Sequence, residues 1–121
     1  MNRPTTKEIG DEGESLAAAY LESKGWIVLD QNYSFQRAEV DIVAYDQNCI
    51  VFVEVKYRSS TAYGYPEEQI DEAKIRNIYK ASEAWLYERK MEGSPTRFDV
   101  ISIVQKGNQA PDITHLEDAF P

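Results

Sequence analysis

Between Ala38 and Arg58 two largely apolar runs, with charged residues at alternate positions only near Glu39-Asp41 and Glu54-Lys56, flank one polar break at Asp46-Gln47-Asn48-Cys49. Both halves are rich in Val, Ile, Tyr and Phe, so they predict a β-hairpin. With Gln47-Asn48 as a two-residue loop, Asp46 faces Cys49, Tyr45 faces Ile50, Asp41 faces Glu54 and Glu39 faces Lys56. Upstream, Gly13, Leu16, Ala17, Tyr20 and Lys24 recur at helical spacing, predicting a helix from Thr6 to Lys24, capped by Thr6 and stopped by Gly25. Trp26 to Leu29 reads as a strand, Asp30-Gln31-Asn32 as a break, and Tyr33 to Arg37 as a short second piece. Ser59 to Pro66 reads as a loop that could face a substrate. A long helix, open to one break, is expected from Pro66 to about Met91, with Glu67 and Glu68 in its first turn and Ile70, Lys74, Ile78, Ala81 and Trp85 as its inward stripe. Phe98 to Val104 is the last clear strand, Lys106 to Pro111 a turn, and Ile113 to Phe120 a short amphipathic tail that can dock on the sheet.

This order predicts one domain over residues 1–121, with residues 1–5 disordered, and an α/β (α+β) fold: a central mixed sheet containing a hairpin, with helices on its faces. A chain of 121 residues can bury a core of useful size without staples. No apolar run spans a bilayer and no apolar segment follows Met1 to Thr6, so neither a membrane span nor a secretory signal is expected. The single Cys49 excludes an internal disulfide and a cysteine-based zinc site, and reads as an incidental thiol. Together these features point to a cytoplasmic protein.

Alternation places Val40, Ile42, Ala44, Val51, Val53 and Val55 on one wholly apolar face. The other face carries Glu39, Asp41, Glu54 and Lys56 within otherwise apolar runs. Two carboxylates about 5 Å apart at an effective dielectric near 20 repel by roughly 3 kcal/mol. A divalent cation between them would relieve that repulsion. The plainer alternative is a cross-strand ion pair of Glu39 with Lys56, with Asp41 and Glu54 turned to solvent. A one-residue slip would also separate Asp41 from Glu54.

If the carboxylates converge, their chemistry follows from residue type. Asp41 and Glu54 are hard oxygen donors suited to Mg2+ or Mn2+. Such an ion polarises a phosphodiester and lowers the pKa of water. Lys56, two residues after Glu54, falls on the same strand face and could orient that water or offset charge growing on the phosphate. Glu14 from the first helix could complete the metal shell, and Glu39 could steady Lys56. Lys74 is open between a snorkelling lysine and a role at the carboxylates. His115, the only histidine, reads as structural. The net charge of −8 and pI near 4.6 run against a nucleic-acid binder, which is usually basic, although metal-bound carboxylates count as negative in that sum.

Several stretches, in order, carry a family resemblance: Gly13-Glu14 with Ala17 and Tyr20-Leu21; Ala38 to Val43; Val51 to Arg58; Gly64; Lys74 ahead of Ala81; Arg97 to Ile101; and Asp118-Ala119-Phe120. From about Lys7 onward the chain resembles the YraN-like family of small bacterial endonuclease-like proteins. The resemblance implies a restriction-endonuclease-like PD-(D/E)xK core, shared with Holliday-junction resolvases. It puts Asp41, Glu54 and Lys56 at the catalytic positions, with Asp41, Glu54 and Glu14 as metal ligands and Glu39, Lys74 and Arg58 in support. It implies Mg2+ or Mn2+ as cofactor and DNA, branched or single-stranded, as the nucleic-acid partner. Edge strands of such sheets can pair, which admits a homodimer; a protein partner is not specified. Ala38 departs from the family's usual glycine, and the acidity is unlike that of a resolvase. Two functions follow: a metal-dependent endonuclease, or a non-catalytic nuclease-fold module that binds a protein or nucleic acid. A metal that only stabilises the fold is a third.

Overall fold

Two apolar clusters, one on each side of a sheet, organise the chain. The computed structural model describes residues 6–58 and 71–121, and for residues 6–10 the backbone alone. The elements are α1 (Thr6–Ser23), β1 (Ile27–Phe35), β2 (Ala38–Asp46), β3 (Cys49–Arg58), α2 (Glu72–Glu88), β4 (Thr96–Val104) and β5 (Asp112–Leu116). The strands form one sheet in the order β1-β2-β3-β4-β5. Only β3 and β4 run parallel; the other neighbours are antiparallel. The chain between β3 and β4 contains α2, as a crossover between parallel strands requires. This is the expected α+β mixed sheet with helices on its faces, consistent with a nuclease-like core.

Against α1, Ala17, Ala18 and Leu21 pack on Ile42, Ala44, Val51, Val53, Ile101 and Ile103. Against α2, Ile78, Ala81 and Trp85 pack on Val40, Val43, Ile50, Phe52 and Val100. α1 ends as expected: Gly25 has φ +87, and the Trp26 N–H donates back to the Leu21 carbonyl. Gly13 lets α1 approach β3. A Cβ built on it would lie 2.7 Å from the Tyr57 Cβ, which is no flexible tip. Gly13→Ala therefore gains helix propensity but must push α1 off the sheet, with an expected net loss of about 1–2 kcal/mol in urea unfolding.

The hairpin turn is as expected: Gln47 (φ +48) and Asn48 (φ +71) form its two-residue loop, and Tyr45↔Ile50 and Asp46↔Cys49 are paired. Elsewhere the structure corrects the sequence reading. Asp30-Gln31-Asn32 does not end a strand; β1 runs through it, with a register shift between Val28 and Asp30. As an outer strand, β1 need pair on one side only, and its polar side chains find partners: Asp30 accepts from the Trp85 indole N–H and from Arg89, both at 3.2 Å. Val40 does not share a face with Ile42 and Ala44 but packs in the α2-side cluster. The tail is a fifth strand over Asp112–Leu116, and Phe120 beyond it is buried.

α2 begins at Glu72, not in continuous helix from Pro66. Asp71 is extended (φ −91, ψ 170), and its side chain caps the Lys74 N–H. The helix ends at Glu88, not near Met91: Lys90 is left-handed (φ +56), and the Met91 N–H returns to the Leu86 carbonyl at 2.9 Å. The Ser59–Pro66 loop, the Pro66 start with Glu67, Glu68 and Ile70, residues 1–5 and the Thr6 side-chain cap lie outside the described residues. Among those described, no helix is long and apolar enough to cross a membrane.

Candidate metal centre

β2 and β3 stop pairing at Ile42↔Val53. Beyond that pair β2 continues only with β1, through Val40↔Tyr33 and Glu39↔Ser34, while β3 continues with β4 as far as Arg58↔Val104. The hairpin thus opens into a fork, and Asp41 is the first residue past its closed end. An Asp41 carboxylate oxygen accepts the Val55 N–H at 2.8 Å, where a continuing ladder would present a main-chain carbonyl. The side chain is thereby fixed in the fork.

Glu54, on β3, is 3% exposed, so it does not point to solvent. Its Oε1 lies 3.0 Å from the Lys74 ammonium and 3.7 Å from that of Lys56. Lys74 reaches it from the first turn of α2: its side chain, 39% exposed, brings the ammonium to the buried carboxylate from the solvent side. Burial would lower the Lys74 pKa, but Glu54, Asp41 and Glu39 outweigh that and hold it above the ordinary value. The Lys56 ion pair is with Glu54, and neither expected facing, Asp41 with Glu54 or Glu39 with Lys56, is among the described pairings. Glu39 is exposed, near enough for its charge to act on Glu14 and Lys74. Arg58, half-buried, ends β3 next to Val104, and its carbonyl accepts the Gln105 N–H.

Glu14 projects from α1 toward the same fork. One of its oxygens, Oε2, is buried and has no hydrogen-bond partner. Burial pushes its pKa up, with Asp11 and Glu39 adding, while the side chains of Asn32 and Asp41 draw it down. Asp41 shows the repulsion most clearly. Burial first, then the charges of Glu54 and Glu14, push its pKa to about 8, against the pull of the Val55 N–H and Lys74. Glu14, Asp41, Glu54, Lys56 and Lys74 are therefore gathered from four elements, with Glu39 and Arg58 at the margin. As they stand, no three His, Cys, Asp or Glu side chains among the described residues are grouped closely enough to hold a metal ion.

Sequence reasoning missed Asn32. It lines a cleft of about 580 Å³ with Asp11, Glu14, Ser15 and Gln31. Its signal was residue type alone: asparagine is among the residues most tolerant of positive φ after glycine. A second polar cluster was also missed. Asp99, wholly buried on β4, receives Arg97 through two bonds at 2.9 and 3.0 Å, the Asp118 N–H at 2.9 Å and the His115 Nε2–H at 2.8 Å. His115 Nδ1 accepts from the Lys24 ammonium at 3.1 Å, which fixes the neutral Nε2–H tautomer. His115 thus ties β5 to Asp99 of β4.

The Asp41 shift has a measurable consequence. An aspartate whose folded pKa is raised stabilises the fold below its unfolded pKa near 4, and that contribution is lost as pH rises through the folded value. In metal-free buffer, stability attributable to Asp41 should fall between about pH 4 and pH 8. Asp41→Asn keeps an acceptor for Val55 and carries no charge. It should unfold about 1–3 kcal/mol harder than wild type at pH 9 and equally at pH 4. Equal unfolding at both pH values would contradict the crowding described here.

The model of the family described as "Uncharacterised protein family UPF0102" matches residues 13–103. Among similar chains, a UPF0102 protein of Geobacter metallireducens is 45% identical over 114 residues, covering 94% of this chain and 93% of its own. One from Persephonella marina is 43% identical over 111 residues, covering 92% and 91%. One from Geotalea uraniireducens is 39% identical over 119 residues, covering 98% and 94%.

Proposed function

For a chain that belongs to the UPF0102, or YraN, family, we propose the function of a divalent-metal-dependent endonuclease that hydrolyses phosphodiester bonds of DNA. One observation carries the reading: Asp41 and Glu54 converge where the hairpin opens, with Lys56 against Glu54 and the unsatisfied Glu14 oxygen alongside. Mutually repelling hard oxygen donors suit Mg2+ or Mn2+, which needs only one or two protein carboxylates and fills its other positions with water. Asp41 and Glu54 would hold the ion and Glu14 would add a third oxygen. When bound, the ion supplies Lewis acidity toward the phosphodiester and lowers the pKa of water. Lys56 holds its positive charge beside the fork, positioned to orient the attacking water or to offset charge growing on the phosphate. Lys74 orients Glu54 through their 3.0 Å ion pair, and Asp41 is held by the Val55 N–H.

A second reading rests on the same ammonium groups. Lys74 and Lys56 already flank Glu54, so the pair could serve as an ion-pair network in a non-catalytic nuclease-fold module, and the net charge of −8 disfavours tight duplex binding. Calorimetric titration with Mn2+ separates the two. The nuclease reading expects binding by the wild-type chain and loss of it in Glu54→Ala, with Mn2+-dependent cutting of duplex, branched or single-stranded DNA. A wild-type chain that binds no Mn2+ and cuts none of these supports the module.

A further inference from the structure

We propose that Asn32 is a positioning residue of the candidate metal centre: its left-handed backbone turns the β1–β2 ribbon at the level of Asp41, and its side-chain amide holds the Glu14 carboxylate toward the fork. The inference rests on the metal-centre reading and adds a residue to it.

Asn32 has φ +54. The other described non-glycine residues with positive φ (Gln36, Gln47, Asn48, Lys90 and Asp118) sit in turns between elements or just beyond an element's end. Asn32 alone among them lies inside a strand, the nine-residue β1. It falls between the pairs Gln31↔Ile42 and Tyr33↔Val40, which sets it level with Asp41.

The backbone reversal has a visible effect on side-chain direction. Strict alternation sends residues three apart to opposite faces of a sheet. On β1, Asp30 bonds Trp85 of α2 and Tyr33 packs in the α2-side cluster. On β2, Val43 and Val40 also both belong to that cluster. Each strand therefore changes phase between these residues, and Asn32 and Asp41 lie within the change. An alternating β2 would carry Asp41 to a face; the phase change leaves its carboxylate directed at the Val55 N–H.

The side chain adds a separate contribution. Asn32 and Glu14 line the same cleft, and the Asn32 side chain hydrogen-bonds the Glu14 carboxylate there. With Oε2 unsatisfied, Glu14 has few anchors, so the amide matters for where its carboxylate points. Partners of this kind behind a metal ligand typically change metal affinity by about 10- to 100-fold.

Glycine separates the backbone role from the amide role, because it accepts positive φ and carries no side chain. Mn2+ calorimetry on wild type, Asn32→Gly, Glu14→Ala and the double variant is the test. Asn32→Gly should bind about tenfold more weakly than wild type with an unchanged melting temperature, and should have no further effect in the Glu14→Ala background. Equal affinity of Asn32→Gly and wild type, or additive losses in the double variant, overturns the proposal. A metal-free readout distinguishes this from failure of the metal-centre reading. In the NMR spectrum the Asn32 side-chain NH2 signals should shift on Glu14→Ala. If wild type binds no Mn2+ yet these signals shift, the metal reading falls and the Asn32–Glu14 contact stands. Signals that ignore Glu14→Ala overturn the contact itself.

Discussion

If the proposed nuclease reading holds, Asp41→Ala and Lys56→Ala should each reduce Mn2+-dependent DNA cleavage by at least about a thousandfold while leaving the circular dichroism spectrum of the folded chain unchanged. The two losses have different origins. Asp41 supplies a carboxylate to the fork and is held there by the Val55 N–H; without it the ion loses a principal ligand, so Mn2+ binding should fall together with cleavage. Lys56 is 3.7 Å from Glu54 and belongs to no ligand set; its removal should spare Mn2+ binding and abolish the chemical step, as expected for a group acting on charge that develops in the transition state. A Lys56→Ala chain that cuts DNA at the wild-type rate would remove the lysine from the mechanism. One that no longer binds Mn2+ would make it a structural support of Glu54.

The largest expected effect on stability lies away from the fork, at Asp99 of β4. Asp99→Ala should destabilise the fold by about 3–5 kcal/mol, because Arg97, His115 and the Asp118 N–H all converge on that one buried carboxylate. In a domain of this size the melting temperature should drop by more than about 10 °C. Burial alone would raise the Asp99 pKa, but His115, Arg97 and the Asp118 N–H hold it below the ordinary carboxylate range. Its contribution is therefore complete above the unfolded pKa near 4 and lost as pH falls through the lower folded value. Asp99→Ala should cost stability at pH 7 and progressively less in strong acid. A loss under about 1 kcal/mol at pH 7 would show that β5 and the segment around Asp118 hold to β4 without this clamp.

Local patterning carried much of the architecture. The two-residue loop at Gln47-Asn48, the Tyr45↔Ile50 pairing and the Gly25 stop of α1 were readable because each depends on residues near in sequence. The ends of α2 were read less well. Pro66 and Gly93 are strong breakers, yet the helix is bounded by Asp71, whose side chain caps the first turn, and by a left-handed Lys90. The fifth strand was hidden because Asp112–Leu116 has little pattern of its own and is a strand by virtue of pairing with β4. For the site, period-two spacing identified Asp41, Glu54 and Lys56 as residues in strands. It also expected Asp41 opposite Glu54, Glu39 opposite Lys56 and Val40 beside Ile42, and all three failed at the same place, where β2 leaves β3.

By itself the sequence determined which segments could be strands and helices, where the hairpin turns and which acidic residues lie within apolar runs. These follow from side-chain volume, backbone preference and periodicity, all of which act over a few residues. Only the tertiary structure decided that the hairpin forks at Asp41, that Lys74 of α2 meets Glu54 of β3, and that Asn32 of β1 stands with Glu14 of α1. Those outcomes depend on how α1 and α2 are pressed onto opposite faces of the sheet, and on a ladder giving up a main-chain bond for a carboxylate. Both are set by packing and burial between segments far apart in the chain.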